Sequence, residues 1–152
     1  MKVLVADDSA VVRERLVSML AEVRDAELAG EAENAGEALH LIRRNRPDVV
    51  TLDLRMPGGG GLGVLNKLGK SGRMPVTVVL TNYPDPHYRK KCLEAGAKFF
   101  LDKSTEFCKI PEILEKIRKH ILPRGERTEE KTPRRKKSPC AKKEVHHGNP
   151  KV

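Results

Sequence analysis

The sequence predicts an α/β protein: one doubly wound sheet of five parallel strands with helices on both faces. Three observations predict it. Five short apolar runs recur along the first 122 residues, and a stretch of helical periodicity follows each. The runs are apolar on consecutive positions rather than alternate ones, which marks strands buried on both sides and hence a parallel sheet. Chemically active side chains fall at the C-terminal ends of those runs, the edge at which open α/β sheets bind ligands.

The elements follow in order. "KVLVA" is the first strand, and it leads directly into two adjacent acids, Asp7 and Asp8. "SAVVRERLVSMLAEV" places Val12, Leu16, Met19 or Leu20, and Val23 on one helical face, with Ser9 as N-cap. "ELAGEAE" is a weaker strand. "NAGEALHLIRRN" is a helix capped by Asn34, with Glu37 three residues on, a variant of the capping box. "PDVVTLDL" is the third strand, apolar until Asp53. "MPGGGG" breaks the chain, and its four glycines at 58–61 promise a flexible loop beside Asp53. "LGVLNKLGK" is a short helix weakened by glycine. "MPVTVVLTN" is the fourth strand, and "DPHYRKKCLEAG" a helix stopped at Gly96. "AKFFLDK" is the fifth strand. "FCKIPEILEKIRKHIL" is the last helix, with Pro111 in its first turn, where proline is tolerated.

Charge divides the chain. Residues 1–122 carry 20 Lys and Arg against 17 Asp and Glu, whereas residues 123–152 carry 10 against 4. Most of the net charge of +9 therefore belongs to a C-terminal piece that is nearly devoid of apolar residues. The expected organisation is a folded domain over 1–122 and a basic, disordered tail over 123–152. The sequence is expected to carry neither a membrane-spanning run nor a signal peptide, and the three cysteines, Cys92, Cys108 and Cys140, imply free thiols in a reducing compartment. The expected location is cytoplasmic.

The polar residues at the strand ends form an ordered set. Asp7 and Asp8 follow the first strand, Asp53 closes the third, Thr81 ends the fourth and Lys103 follows the fifth. Three converging carboxylates repel one another and are costly to desolvate. A hard divalent cation relieves this, and Mg²⁺ is held by one or two carboxylates, water and phosphate. With the metal on Asp8, Asp53 is free to attack a phosphoryl group and form an aspartyl-phosphate. Phosphoryl transfer needs positioning and neutralised equatorial oxygens, for which the Lys103 ammonium and the Thr81 hydroxyl are suited.

The segments "VADDSAVVRERL", "DVVTLDLRMPGGGGLGVL", "VVLTN" and "EAGAKFFLDKS" resemble the receiver (CheY-like) domain of two-component response regulators, over about residues 1–122. The resemblance implies the flavodoxin-like strand order 2-1-3-4-5. It implies Asp53 as phosphoacceptor, Asp8 as direct metal ligand, Asp7 as the acid orienting metal-bound water, and Arg55 as donor of a backbone carbonyl to the metal. Thr81 and Lys103 match the switch hydroxyl and the phosphate-binding lysine, and Phe100 matches the rotating aromatic switch.

The implied function is a stand-alone switch, not an enzyme acting on other substrates. It would be phosphorylated by a sensor histidine kinase or phosphotransfer protein, and would signal to a downstream protein through residues 84–122. Arg89, Lys90, Lys91 and Lys98 there suggest an acidic partner. The sequence departs from the family at Asn82, where a smaller residue is usual, and at Ser104, where a proline commonly follows a cis bond. Arg55 and Tyr83 occupy the positions that often tune self-dephosphorylation. Two alternatives stay open: an adaptor binding nucleic acid or an anionic surface through "PRRKKSPCAKK", and a phosphate sink for a kinase.

Overall fold

A computed structural model describes residues 1–72 and 74–121. Expectations for the tail at 123–152 lie outside the described residues. The elements run β1 (Lys2–Ala6), α1 (Ala10–Leu20), β2 (Glu27–Ala32), α2 (Ala35–Asn45), β3 (Val49–Asp53), α3 (Gly60–Ser71), β4 (Val76–Thr81), α4 (Pro86–Glu94), β5 (Phe99–Asp102) and α5 (Ile110–Ile121), with one 3₁₀ turn at Phe107–Lys109. The sheet order is β2-β1-β3-β4-β5 and every adjacent pair is parallel, which is the flavodoxin-like order expected.

The period-two alternation of strand side chains builds two apolar layers. Leu4, Ala6, Val50, Leu52, Val79 and Phe100 face α2, α3 and α4. Val3, Val5, Val49, Val78, Leu80 and Leu101 face α1 and α5. A fully buried Val or Leu is worth roughly 1.5–3 kcal/mol, so the central strands anchor the domain. In α5, Ile110, Ile113, Leu114 and Ile117 form the buried stripe.

Local chemistry sets the element boundaries. The Val12 amide donates to the Ser9 hydroxyl at 3.4 Å, and the Glu37 amide to Asn34 Oδ1 at 2.8 Å. Glu37 reaches back to the Glu33 amide at 3.5 Å, one residue earlier than in a capping box. Asp85 caps α4 by accepting from the His87 amide at 2.8 Å, with Pro86 opening the helix.

Two expectations are corrected. The glycine run is not a loose loop: α3 already begins at Gly60, and the glycines are there for close approach. A side chain on Gly61 would place its Cβ 2.5 Å from the Asp53 carbonyl oxygen, and one on Gly60 would stand 2.6 Å from that of Leu54. The helix must pass this near the end of β3, and only glycine lets it. Second, Cys92 is a buried free thiol as expected, but Cys108 is disulfide-bonded.

Candidate phosphoacceptor site

β1 stops at Ala6, and the chain is already turning at Asp7 and Asp8, so the two acids escape the opposite-face constraint of a strand. Asp7 is completely buried and every polar group on it is engaged. Its amide donates to the Ala32 carbonyl at 3.0 Å, and Oδ1 accepts from the Ser9 amide at 2.8 Å. Oδ2 accepts from Lys103 Nζ at 2.6 Å, and its carbonyl accepts from Arg13 Nη1 at 2.7 Å. Asp8 is exposed and carries no hydrogen bond or ion pair among the described residues, so its carboxylate is available to the site.

Asp53 ends β3 beside them. One oxygen, Oδ1, accepts from the Arg55 amide at 3.3 Å and lies 3.2 Å from Lys103 Nζ. The carboxyl is pushed up to about 6, first by burial and then by the negative charge of Asp7, with Lys103 and the Arg55 amide pulling the other way. The site thus holds surplus negative charge even with its lysine in place. Oxygens of Asp7, Asp8 and Asp53 all lie within 4.8 Å of one another. Hard carboxylate oxygens at this spacing, one of them uncommitted, fit Mg²⁺.

Lys103 reaches the acids because its amide donates to the Thr81 carbonyl at 2.8 Å, extending the β4–β5 ladder by one residue. The loop after it is shaped without proline. Ser104 donates its amide (2.9 Å) and hydroxyl (2.6 Å) to Asp102 Oδ1, and these bonds hold the Asp102 carboxyl below its usual range. No described peptide bond is cis.

These side chains line a cavity of about 250 Å³ together with Ser9, Val12, Thr81, Asn82 and Tyr83. The Thr81 hydroxyl is turned to its own loop: it accepts from the Tyr83 amide at 3.0 Å and donates to the Tyr83 carbonyl at 3.4 Å. The Arg55 guanidinium stacks on the Tyr83 ring at 4.1 Å, a cation–π contact beside the cavity mouth. Phe100 stands apart from the cavity. It is buried in the layer beneath α3 and α4, next to Val79 and on the same sheet face as Thr81. A larger hollow of about 510 Å³ opens at the opposite edge of the sheet and contains none of these residues.

Arg13 is the residue that sequence reasoning missed. The available signal was its place one turn after the Ser9 cap. Helical side chains lean toward the N-terminus, so an arginine there can reach back to the preceding strand end.

A parallel 2-1-3-4-5 sheet with an acid trio and a lysine at its C-terminal edge defines the receiver class. The family model for the response regulator receiver domain matches residues 3–118, and the chain belongs to that family. It is 41% identical over 125 residues to protein-glutamate methylesterase/protein-glutamine glutaminase 1 of Carboxydothermus hydrogenoformans, covering 80% of this chain and 36% of that protein. It is 36% identical over 104 residues to the response regulator GacA of Pseudomonas aeruginosa, covering 68% of this chain and 49% of that one. The chain thus spans half or less of either relative's length. Among solved structures, the response regulator domain of Thermotoga maritima CheB superposes with a TM-score of 0.70 at 28% identity, over 81% of this chain and 98% of that one. The receiver domain of the putative response regulator NarL from Mycobacterium tuberculosis gives 0.71 at 30%, over 77% and 95%. Among the described residues no helix is long and apolar enough to cross a membrane.

Proposed function

We propose that the chain is a phosphorylation-activated switch of a two-component or phosphorelay system. It takes its phosphoryl group on Asp53 from a sensor histidine kinase or phosphotransfer protein in the cytoplasm. The observation that carries this reading is the Lys103 ammonium lying 3.2 Å from Asp53 within a cluster of three carboxylates. Asp53 Oδ1 is held by Lys103 and the Arg55 amide, which leaves Oδ2 as the nucleophile. Oδ2 bonds to phosphorus as the donor's bond to phosphorus breaks, and the leaving group departs with its electron pair. With its carboxyl at about 6, Asp53 is mostly ionised at neutral pH and competent to attack. Asp8, Asp53 and the Arg55 carbonyl would hold Mg²⁺, which would supply neutralisation of phosphoryl oxygen charge. Lys103 neutralises a further oxygen, and the Thr81 hydroxyl re-aims toward a third. Phe100, on the face of the sheet that carries Thr81, follows that movement and reports it to the surface.

Signalling then proceeds by protein contact through the basic surface of α4 and the turn that leads into β5, residues Arg89, Lys90, Lys91 and Lys98, toward an acidic partner. The chain turns over no external substrate, since Arg55 stands where aspartyl-phosphate phosphatases carry a second acid. The test is intact mass after incubation with a small phosphodonor and Mg²⁺. Wild type gains one phosphoryl group and Asp53→Asn gains none; an unmodified wild type under donor excess overturns the reading.

A further inference from the structure

We propose that Arg13 is a positioning residue for cation binding: it fixes the peptide between Asp7 and Asp8, so that the Asp8 carboxylate is presented to the site. The inference rests on the reading of the acid trio as a Mg²⁺ site. Asp7 has no freedom of its own, because its amide, both carboxylate oxygens and its carbonyl are all engaged. Among the described residues Asp8 has no such anchors. Its direction is set by the peptide that precedes it, and the carbonyl of that peptide is the acceptor of Arg13 Nη1 at 2.7 Å.

Arg13 is built for the task. Its side chain is 11% exposed, and the guanidinium is oriented from behind by Glu33 (Nη2 to Oε1, 3.2 Å) and Glu31 (Nε to Oε1, 3.6 Å). The planar fork can serve a carbonyl on one side and carboxylates on the other at once, which a lysine ammonium cannot do in the same geometry. The two glutamates also offset its charge, so a cation next to the metal site adds little repulsion. Through them the edge strand β2 and the turn after it are tied to the acid loop.

Charge and position predict opposite signs. If Arg13 acts only as a nearby positive charge, removing it favours Mg²⁺. If it holds the peptide, removing it lets Asp8 swing and weakens Mg²⁺. The experiment is a calorimetric titration of the full chain with Mg²⁺ for wild type, Arg13→Gln and Arg13→Lys. Amide chemical shifts of Asp8 and Ser9 are followed in parallel, and circular dichroism checks that each variant folds. Arg13→Gln is expected to bind Mg²⁺ about 10-fold more weakly, in line with the loss of a group that orients a ligand. Arg13→Lys is expected to recover part of the loss, with the Asp8 shifts returning toward wild type. Equal or tighter binding by folded Arg13→Gln overturns the proposal and leaves the site reading intact. No binding by wild type overturns both.

Discussion

The Lys103 ammonium lies 0.6 Å nearer to Asp7 than to Asp53, at 2.6 Å against 3.2 Å. The lysine is therefore shared, and its stronger tie is to the acid that is already immobile. Lys103→Gln leaves two buried carboxylates facing each other without a counter-charge. Stability in EDTA is expected to fall by about 3 kcal/mol, as when one partner of a buried pair is removed. Mg²⁺ should then restore more of the melting temperature in the variant than it adds to wild type. An unchanged melting temperature in EDTA would contradict the pairing.

The raised Asp53 carboxyl makes an acid-side prediction. In the unfolded chain this group titrates near 3.8, and in the fold at about 6. Between those values the native state holds more protons than the unfolded state, so stability falls as pH rises through the window. The full shift corresponds to at most about 3 kcal/mol. Asp102 and Glu106 are shifted down instead, from 3.8 and 4.5. Their contribution is present above those values and lost as pH falls below them. The difference between wild type and Asp53→Asn isolates the Asp53 effect: in EDTA the variant should gain on wild type steadily from pH 4 to 6.5, then level off. A constant difference across that range would refute the shift.

Metal linkage runs against the same proton. At pH 7 Asp53 is mostly ionised and Mg²⁺ should raise the melting temperature of wild type. As pH drops below about 6, protons compete for Asp53 and the increment should shrink. Thermal scans with and without EDTA at pH 5 and pH 7.5 measure this directly.

The Arg55–Tyr83 stack predicts a long-lived acyl phosphate, because it narrows the path of water to the phosphoryl group. Arg55→Ala and Tyr83→Ala should each hasten hydrolysis several-fold, within the roughly 0.5–2 kcal/mol of a cation–π contact. The double variant should be hardly faster than either single one, since both break the same contact. Additive effects would mean two independent roles, and a wild-type half-life of seconds would mean no screen at all.

Glycines in one helix separate by position. Gly61→Ala drives a Cβ into the Asp53 carbonyl and should cost about 2 kcal/mol or more. Gly63→Ala meets nothing within 4 Å and should stabilise by about 0.5–1 kcal/mol through the unfolded chain. Denaturant midpoints of the two variants provide the comparison.

Much of this architecture was legible because its signals are local. Ser9 and Asn34 announce their helices, and the runs around Val3–Val5 and Val49–Leu52 are too apolar to be anything but central strands. The acids, Thr81 and Lys103 were legible as a set, because parallel strands deliver their C-terminal ends to one edge. What escaped depends on distance in space. The glycine run reads as a break until β3 is seen to pass beneath it. Arg13 reads as a solvated helix residue until β1 is seen to end against it. The bonded state of Cys108 has no signature in an odd count of cysteines.

A hydroxyl has a single hydrogen to give, and Thr81 currently gives it to Tyr83. Bonding a newly arrived anion therefore gives up one of the two bonds that tie Thr81 to the segment whose aromatic ring shields that anion. Duration and output are then not separately adjustable in this molecule: any substitution that stiffens the span from Thr81 to Tyr83 to prolong the signal should also mute it.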